Sequence, residues 1–146
     1  MSSPRSVRFE TSTLNKLSAY ASRHPGMTSS GAAALLVEEG LRMDEHPGIV
    51  FRDGPAGRRA GLAGGPDVWE VITAVISARE ADLDLGADNG LALVADNAGL
   101  PVPAVQIAVR YYGDYPDEID QQVRDARDAQ ATAERALRRT SGLLGR

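Results

Sequence analysis

Residues 6–17 read SVRFETSTLNKL, and the reading of these letters decides the fold. Ser6 to Glu10 alternate polar and apolar side chains, the pattern of a strand with one wet face. A helix-like pattern follows at once. No second strand-like run appears before Ile49. A lone strand leaves its backbone N–H and C=O groups without partners. Its partner must come from elsewhere.

Thr11-Ser12-Thr13 offers N-cap side chains, and Leu14, Leu17, Tyr20 and Ala21 recur at helical spacing. His24-Pro25-Gly26 stops this helix. Thr28-Ser29-Ser30 caps a second one, whose apolar stripe is Ala32, Ala33, Leu36, Val37, Gly40 and Leu41. His46-Pro47-Gly48 ends it with the same punctuation. One strand and two helices cannot bury their apolar faces as a monomer. Two copies can, if the strands pair antiparallel about a two-fold axis and four helices close the core. Val7 and Phe9 then point inward. Ser6 and Arg8 point outward from a two-stranded ribbon that fits a DNA major groove. The Thr28-Ser29-Ser30 helix start aims at a backbone phosphate. The competing arrangement adds the strand to a sheet formed by residues 49–62.

Residues 5–43 resemble a ribbon-helix-helix domain, the dimeric repressor fold of many bacterial antitoxins. The resemblance is carried by Ser6-Val7-Arg8-Phe9, by the turn Gly26-Met27-Thr28-Ser29-Ser30, and by Glu38-Glu39-Gly40-Leu41-Arg42. Gly31-Ala32-Ala33-Ala34 is smaller than the family's usual residues and implies a thinner core. The resemblance implies a homodimer on operator double-stranded DNA. Arg5, Ser6, Arg8, Thr28, Ser29 and Ser30 are the expected DNA-binding residues.

Ile49-Val50-Phe51 and Arg58 to Leu62 flank Asp53-Gly54 and Pro55-Ala56-Gly57, which predicts a hairpin. Pro66 and Asp67 open a helix through Trp69, Ile72, Val75 and Ile76 to about Glu80. An Asp/Leu loop at 81–87 leads to a short helix at about 88–98. Ala98-Gly99-Leu100-Pro101 is a tight turn, and a helix with Val105, Ala108, Val109 and Tyr112 follows. The spacing of residues 88–115 is that of a helix-turn-helix. Outward residues Gln106, Arg110 and Asp114 carry little net positive charge for a DNA-reading helix. Residues 46–120 resemble the family called domain of unknown function four-three-three. It occurs in VapB-type antitoxins, whose partners are PIN-like ribonucleases. The matching segments are Pro66-Asp67-Val68-Trp69-Glu70-Val71, Val105 to Tyr112, and Glu118-Ile119-Asp120. The family's Arg-Gly-Thr-Arg segment is replaced by Arg58-Arg59-Ala60-Gly61-Leu62.

From Asp117 onward the chain is rich in Ala, Gln, Arg and Glu and helical in propensity. Ile119, Val123, Ala126, Ala133 and Leu137 recur near a 3–4 spacing, a stripe too thin to hold a helix firmly on its own core. It suits a partner surface, or partial disorder. Ile119, Val123, Ala126, Arg135, Leu137, Arg138 and Arg139 are the expected toxin-binding residues. Arginines pair bidentately with the carboxylates that hold Mg²⁺ in such nucleases.

The 146 residues are 42% hydrophobic but only 5% aromatic, which favours small helical units over one aromatic core. The expected fold class is mainly α with short β elements. A ribbon-helix-helix dimerisation unit (1–45) precedes a β-hairpin and helix-turn-helix-like domain (46–120) and a helical or disordered tail (121–146). The net charge of −4 argues weakly against a chain that coats nucleic acid everywhere, yet Arg5, Arg8, Lys16 and Arg23 face only Glu10 in the first 26 residues. Without cysteine there is no disulfide framework and no thiolate metal site. No long apolar run and no leader pattern appears, so no membrane partner and a cytoplasmic location are expected.

Catalytic chemistry is not expected. His24 and His46 each precede a proline at a helix end, where a histidine caps carbonyls or faces solvent. Asp82 and Asp84 lack a third carboxylate at ligand spacing. Asp114, Asp117, Glu118 and Asp120 scatter over several helix faces. The glycines of 54–65 lack a P-loop's lysine, and no nucleophile has a triad context. The expectation is a non-enzyme without metal or cofactor. It is an antitoxin and autorepressor that neutralises a PIN-like ribonuclease toxin. The alternatives are a stand-alone dimeric regulator and a non-DNA-binding interaction module.

Overall fold

The computed structural model describes residues 2–55, 57–81 and 88–145. Its regular elements are α1 (Thr11–Ser22), α2 (Ser29–Glu45), β1 (Ile49–Gly54), β2 (Gly57–Leu62), α3 (Val68–Glu80), α4 (Asp88–Ala98), α5 (Val102–Asp114) and α6 (Pro116–Leu144). The chain is mainly helical with one antiparallel hairpin. It divides into two compact units, Met1–Glu45 and His46–Arg146. Asp120 and Gln121, the expected border of a tail, are neighbours inside α6.

In the first unit, residues 2–10 adopt neither helix nor strand. The only sheet among the described residues is the pair β1–β2, so Ser6–Glu10 does not join it. The extended stretch ends abruptly because α1 begins at Thr11. The N-cap position falls on Glu10, which makes no side-chain cap bond. Thr11, Ser12 and Thr13 therefore lie in the first turn instead of capping it. The cap expected at the second helix does form: the Gly31 amide donates to Thr28 Oγ1 at 3.0 Å.

The two His-Pro-Gly triplets make the same turn. The Met27 amide donates to the His24 carbonyl and the Ile49 amide to the His46 carbonyl, each at 3.1 Å. Gly26 and Gly48 have φ of 81° and 97°. Proline at the second turn position and a positive-φ glycine at the third are what a type II turn requires. Gly48 is also constrained by space, because a Cβ there would lie 2.9 Å from Ile107 Cδ1.

Burial in the first unit is sparse. Among its described apolar residues only Leu17 and Ala32 are buried. Val37 and Leu41 of the expected stripe are 54% and 57% exposed, because α1 covers just one flank of α2.

The second unit has a fuller core. β1 and β2 pair from Ile49↔Leu62 to Gly54↔Gly57. α3 packs against α4, α5, α6 and the hairpin, and its Val68, Val71 and Ile72 are buried. It opens with a capping box in which the Asp67 amide donates to Glu70 Oε2 at 2.8 Å. α4 ends in a Schellman turn: Leu100 N–H bonds the Ala95 carbonyl, Gly99 N–H bonds the Asp96 carbonyl, and Gly99 has φ 67°. The chain bends by 103° between α4 and α5. Tyr111 of α5 and Ile119 of α6 are fully buried at the centre. The Asp/Leu segment with Asp82 and Asp84 lies outside the described residues. Among those described, no single helix is long and apolar enough to cross a membrane.

Candidate functional site

The extended segment and the start of α2 shape one face of the first unit. Arg5, Ser29 and Ser30 line a groove of about 690 Å³ whose floor includes Val7, Phe9 and Leu14. Ser6, Arg8 and Thr28 are exposed but do not line it. The geometry thus brings three of the six expected DNA contacts together around an apolar floor. Val7 is 65% exposed and Phe9 37%.

A second cavity, of about 420 Å³, opens between α1 and α2, with Phe9, Leu17, Tyr20 and Val37 on its walls and Lys16 and Arg23 at its edge. Tyr20 stacks on His24 with ring centroids 4.1 Å apart. The Arg23 guanidinium lies 5.9 Å from the Tyr20 centroid. His24 Nδ1 donates to the Tyr20 carbonyl at 2.7 Å, the capping role expected of it. The Tyr20 hydroxyl is buried and has no hydrogen-bond partner among the described residues, an arrangement that costs about 1–3 kcal/mol unless something else supplies one. Reading residues singly missed this group; Tyr20 on an otherwise small helix stripe was its only signal.

His46 departs from expectation. It is 6% exposed, and its Nε2 donates to Asp114 Oδ2 at 2.8 Å, across 68 residues of chain. Tyr111 and Tyr115 stand edge-on to its ring at 5.2 and 6.0 Å. It is a packed core histidine, neither a cap nor a solvated side chain, because the type II turn folds it back onto the end of α5.

The acidic group is also used internally. Tyr111 Oη donates to Glu118 Oε2 at 2.8 Å and Tyr112 Oη to Asp120 Oδ1 at 2.9 Å. These bonds fasten α5 to the first turns of α6. The bond to the Asp120 carboxylate, with burial adding to it, holds the Tyr112 phenol above its ordinary value. Asp114, Glu118 and Asp120 therefore each serve a different partner. Among the described residues no group of three or more His, Asp or Glu could hold a metal ion.

A buried carboxylate joins the hairpin to α3. Asp67 Oδ1 accepts from Arg52 Nη2 at 3.2 Å, Asp67 Oδ2 accepts from Trp69 Nε1 at 3.2 Å, and Arg59 Nε lies 3.0 Å from the same oxygen. A Cβ at Gly61 would collide with the Arg52 guanidinium, so this glycine gives the arginine its path. The segment Arg58 to Leu62 thus closes the hairpin on the cap of α3, a structural role.

The seven expected toxin-binding residues divide. Ile119 is fully buried and Val123 is 4% exposed. Both belong to the core of the second unit, since α3 and α5 cover the first turns of α6, and neither can face a partner. Ala126 is half-buried. Arg135, Leu137, Arg138 and Arg139 are exposed, with Arg135 Nη2 donating to Thr132 Oγ1 at 3.2 Å.

No family model, no curated protein and no solved structure matches this chain.

Proposed function

We propose that this protein is a dimeric DNA-binding repressor of the antitoxin type, which binds its operator through an N-terminal β-ribbon and a PIN-like ribonuclease through the exposed part of α6. The sparse burial of the first unit carries the reading. A 45-residue unit with Leu17 and Ala32 as its buried apolar residues falls well short of the core that a domain of this size needs. A second copy supplies what is missing. Paired segments bury Val7 and Phe9, the second set of helices covers Val37 and Leu41, and the ribbon-helix-helix arrangement results. The unpartnered Tyr20 hydroxyl fits the same account. In that ribbon Arg8 and Ser6 face outward, and the α2 start presents Ser29 and Ser30 to phosphate.

α4 and α5 suit a helix-turn-helix-like pair, given their 103° bend. Their outer residues Gln106, Arg110 and Asp114 bring no excess positive charge, and Asp114 is engaged by His46. This pair therefore serves the core, and DNA reading belongs to the first unit.

Binding to the promoter of its own operon tests the first half. Wild type should prefer that fragment over random DNA with steep salt dependence. Arg8→Ala should remove about 1–3 kcal/mol of that preference, the value of a bidentate arginine–guanine contact. Equal loss on both DNAs makes Arg8 a phosphate contact; no binding at any salt removes the repressor.

Growth under co-expression with a neighbouring nuclease tests the second half. A chain ending after Ala129 keeps Ile119 and Val123 in place, so it should fold and bind DNA as wild type does. It should fail to rescue growth, having lost Arg135, Leu137, Arg138 and Arg139. Full rescue by the shortened chain means that the arm is not the neutralising element.

A further inference from the structure

A cavity of about 370 Å³ opens on the second unit, where the hairpin, the start of α3 and the middle of α6 meet. Arg59, Trp69, Gln122, Asp125, Ala126 and Ala129 line it. Arg135, Leu137, Arg138 and Arg139, the arm assigned above to the nuclease, are not among its described lining residues.

Two of these residues carry polar atoms that neither water nor the protein satisfies. Gln122 Oε1 and Arg59 Nε are closed to solvent, and neither has a hydrogen-bond partner among the described residues. Arg59 Nε lies 3.0 Å from Asp67 Oδ2, near enough for an ion pair but out of line for a hydrogen bond. Such groups are few in a folded chain. Two on the wall of one cavity point to a ligand that supplies their partners.

The aromatic wall is rigid. Trp69 Nε1 donates to Asp67 Oδ2 at 3.2 Å, and Asp67 is itself held by the capping box of α3 and by Arg52. An indole fixed in this way is a prearranged stacking surface. The last torsion of a glutamine is soft, so the Gln122 carboxamide can turn to a ligand without moving α6. Charge on the wall balances, Arg59 against Asp125, which favours a neutral ligand. Residues 117–128 of α6 carry Asp117, Glu118, Asp120, Asp125 and Asp128 against Arg124 and Arg127. That approach repels phosphate.

We propose that this cavity binds the adenine ring of a free nucleoside, stacked on Trp69. A carboxamide matches one edge of adenine at two points: its oxygen accepts from the N6 amino group and its nitrogen donates to N7. Gln122 Oε1 thereby gains the donor it lacks, and a remaining ring nitrogen accepts from the Arg59 guanidinium. The site requires neither operator nor nuclease and does not rest on the function proposed above.

Trp69 is the only tryptophan of the chain, so its fluorescence in the full-length protein reports on this cavity alone. Adenosine should quench it saturably, with half-saturation below about 1 mM. Inosine has a carbonyl where adenosine has the amino group, and should bind at least about tenfold more weakly. Gln122→Met keeps the length of the side chain and removes the acceptor. It should lose affinity for adenosine at least about tenfold with circular dichroism unchanged. Ala129→Phe, at an exposed position on the wall, should fill the cavity and abolish the quenching. Adenosine monophosphate and a single-stranded oligoadenylate should bind no more tightly than adenosine. The proposal is overturned by any of four results: no saturable quenching at millimolar adenosine, inosine binding as tightly as adenosine, unchanged affinity in Gln122→Met or in Ala129→Phe, or tighter binding of either phosphate-bearing probe.

Discussion

Phe9→Asp is expected to convert a dimer at micromolar concentration into a monomer. Within one chain the substitution is mild, because Phe9 is already 37% exposed. In a paired ribbon it places two carboxylates at one seam, one from each copy. Burying such a group without a partner costs at least ~3 kcal/mol, which weakens association by more than ~100-fold. Sedimentation equilibrium reads the mass, and circular dichroism checks that both helices persist. The second unit keeps its own core, so helicity there should not change. A Phe9→Asp protein that remains dimeric through its N-terminal unit, with unchanged helicity, would remove the ribbon and the repressor function built on it.

Ile119→Ala is expected to destabilise the second unit by about 2–5 kcal/mol, the range for an aliphatic side chain deleted from a closed core. Ile119 is fully buried, in the same core cluster as Tyr111 and Val68. The neighbours cannot collapse into the space, since the Tyr111–Glu118 and Tyr112–Asp120 bonds hold α5 and α6 in place. Thermal unfolding should shift down by on the order of 10 °C. Leu137→Ala, farther along α6 and 66% exposed, should change stability by less than ~0.5 kcal/mol. Similar effects of the two substitutions would mean that the boundary between core and arm lies elsewhere.

The order of helices and the hairpin were legible in the letters alone, because what defines them is local. Thr28 reaches a backbone amide three residues on, and Asp67 and Glu70 box the start of α3 within the same span. The His-Pro-Gly and Ala-Gly-Leu-Pro turns need only a proline's fixed φ and a glycine's positive one. Such interactions act within a few residues and survive any tertiary context. Where local signals were close together they misled: three adjacent hydroxyl side chains promised a cap for α1, and the helix started one residue too early to use them.

Other features were decided by the tertiary structure. His46 and Asp114 are separated by 68 residues, and nothing in either triplet or helix pattern links them until the turn and the end of α5 meet. The pairing of Asp120 with Tyr112 and of Glu118 with Tyr111 likewise depends on the angle at which α6 leaves α5. The clearest case is the apolar stripe of α6. Its 3–4 spacing runs from Ile119 to Leu137, so periodicity assigns Ile119, Val123, Ala126, Ala133 and Leu137 the same face. Full burial along that face stops at Val123 and Ala126 is only half-buried, because apolar contact requires a neighbour as well as a pattern.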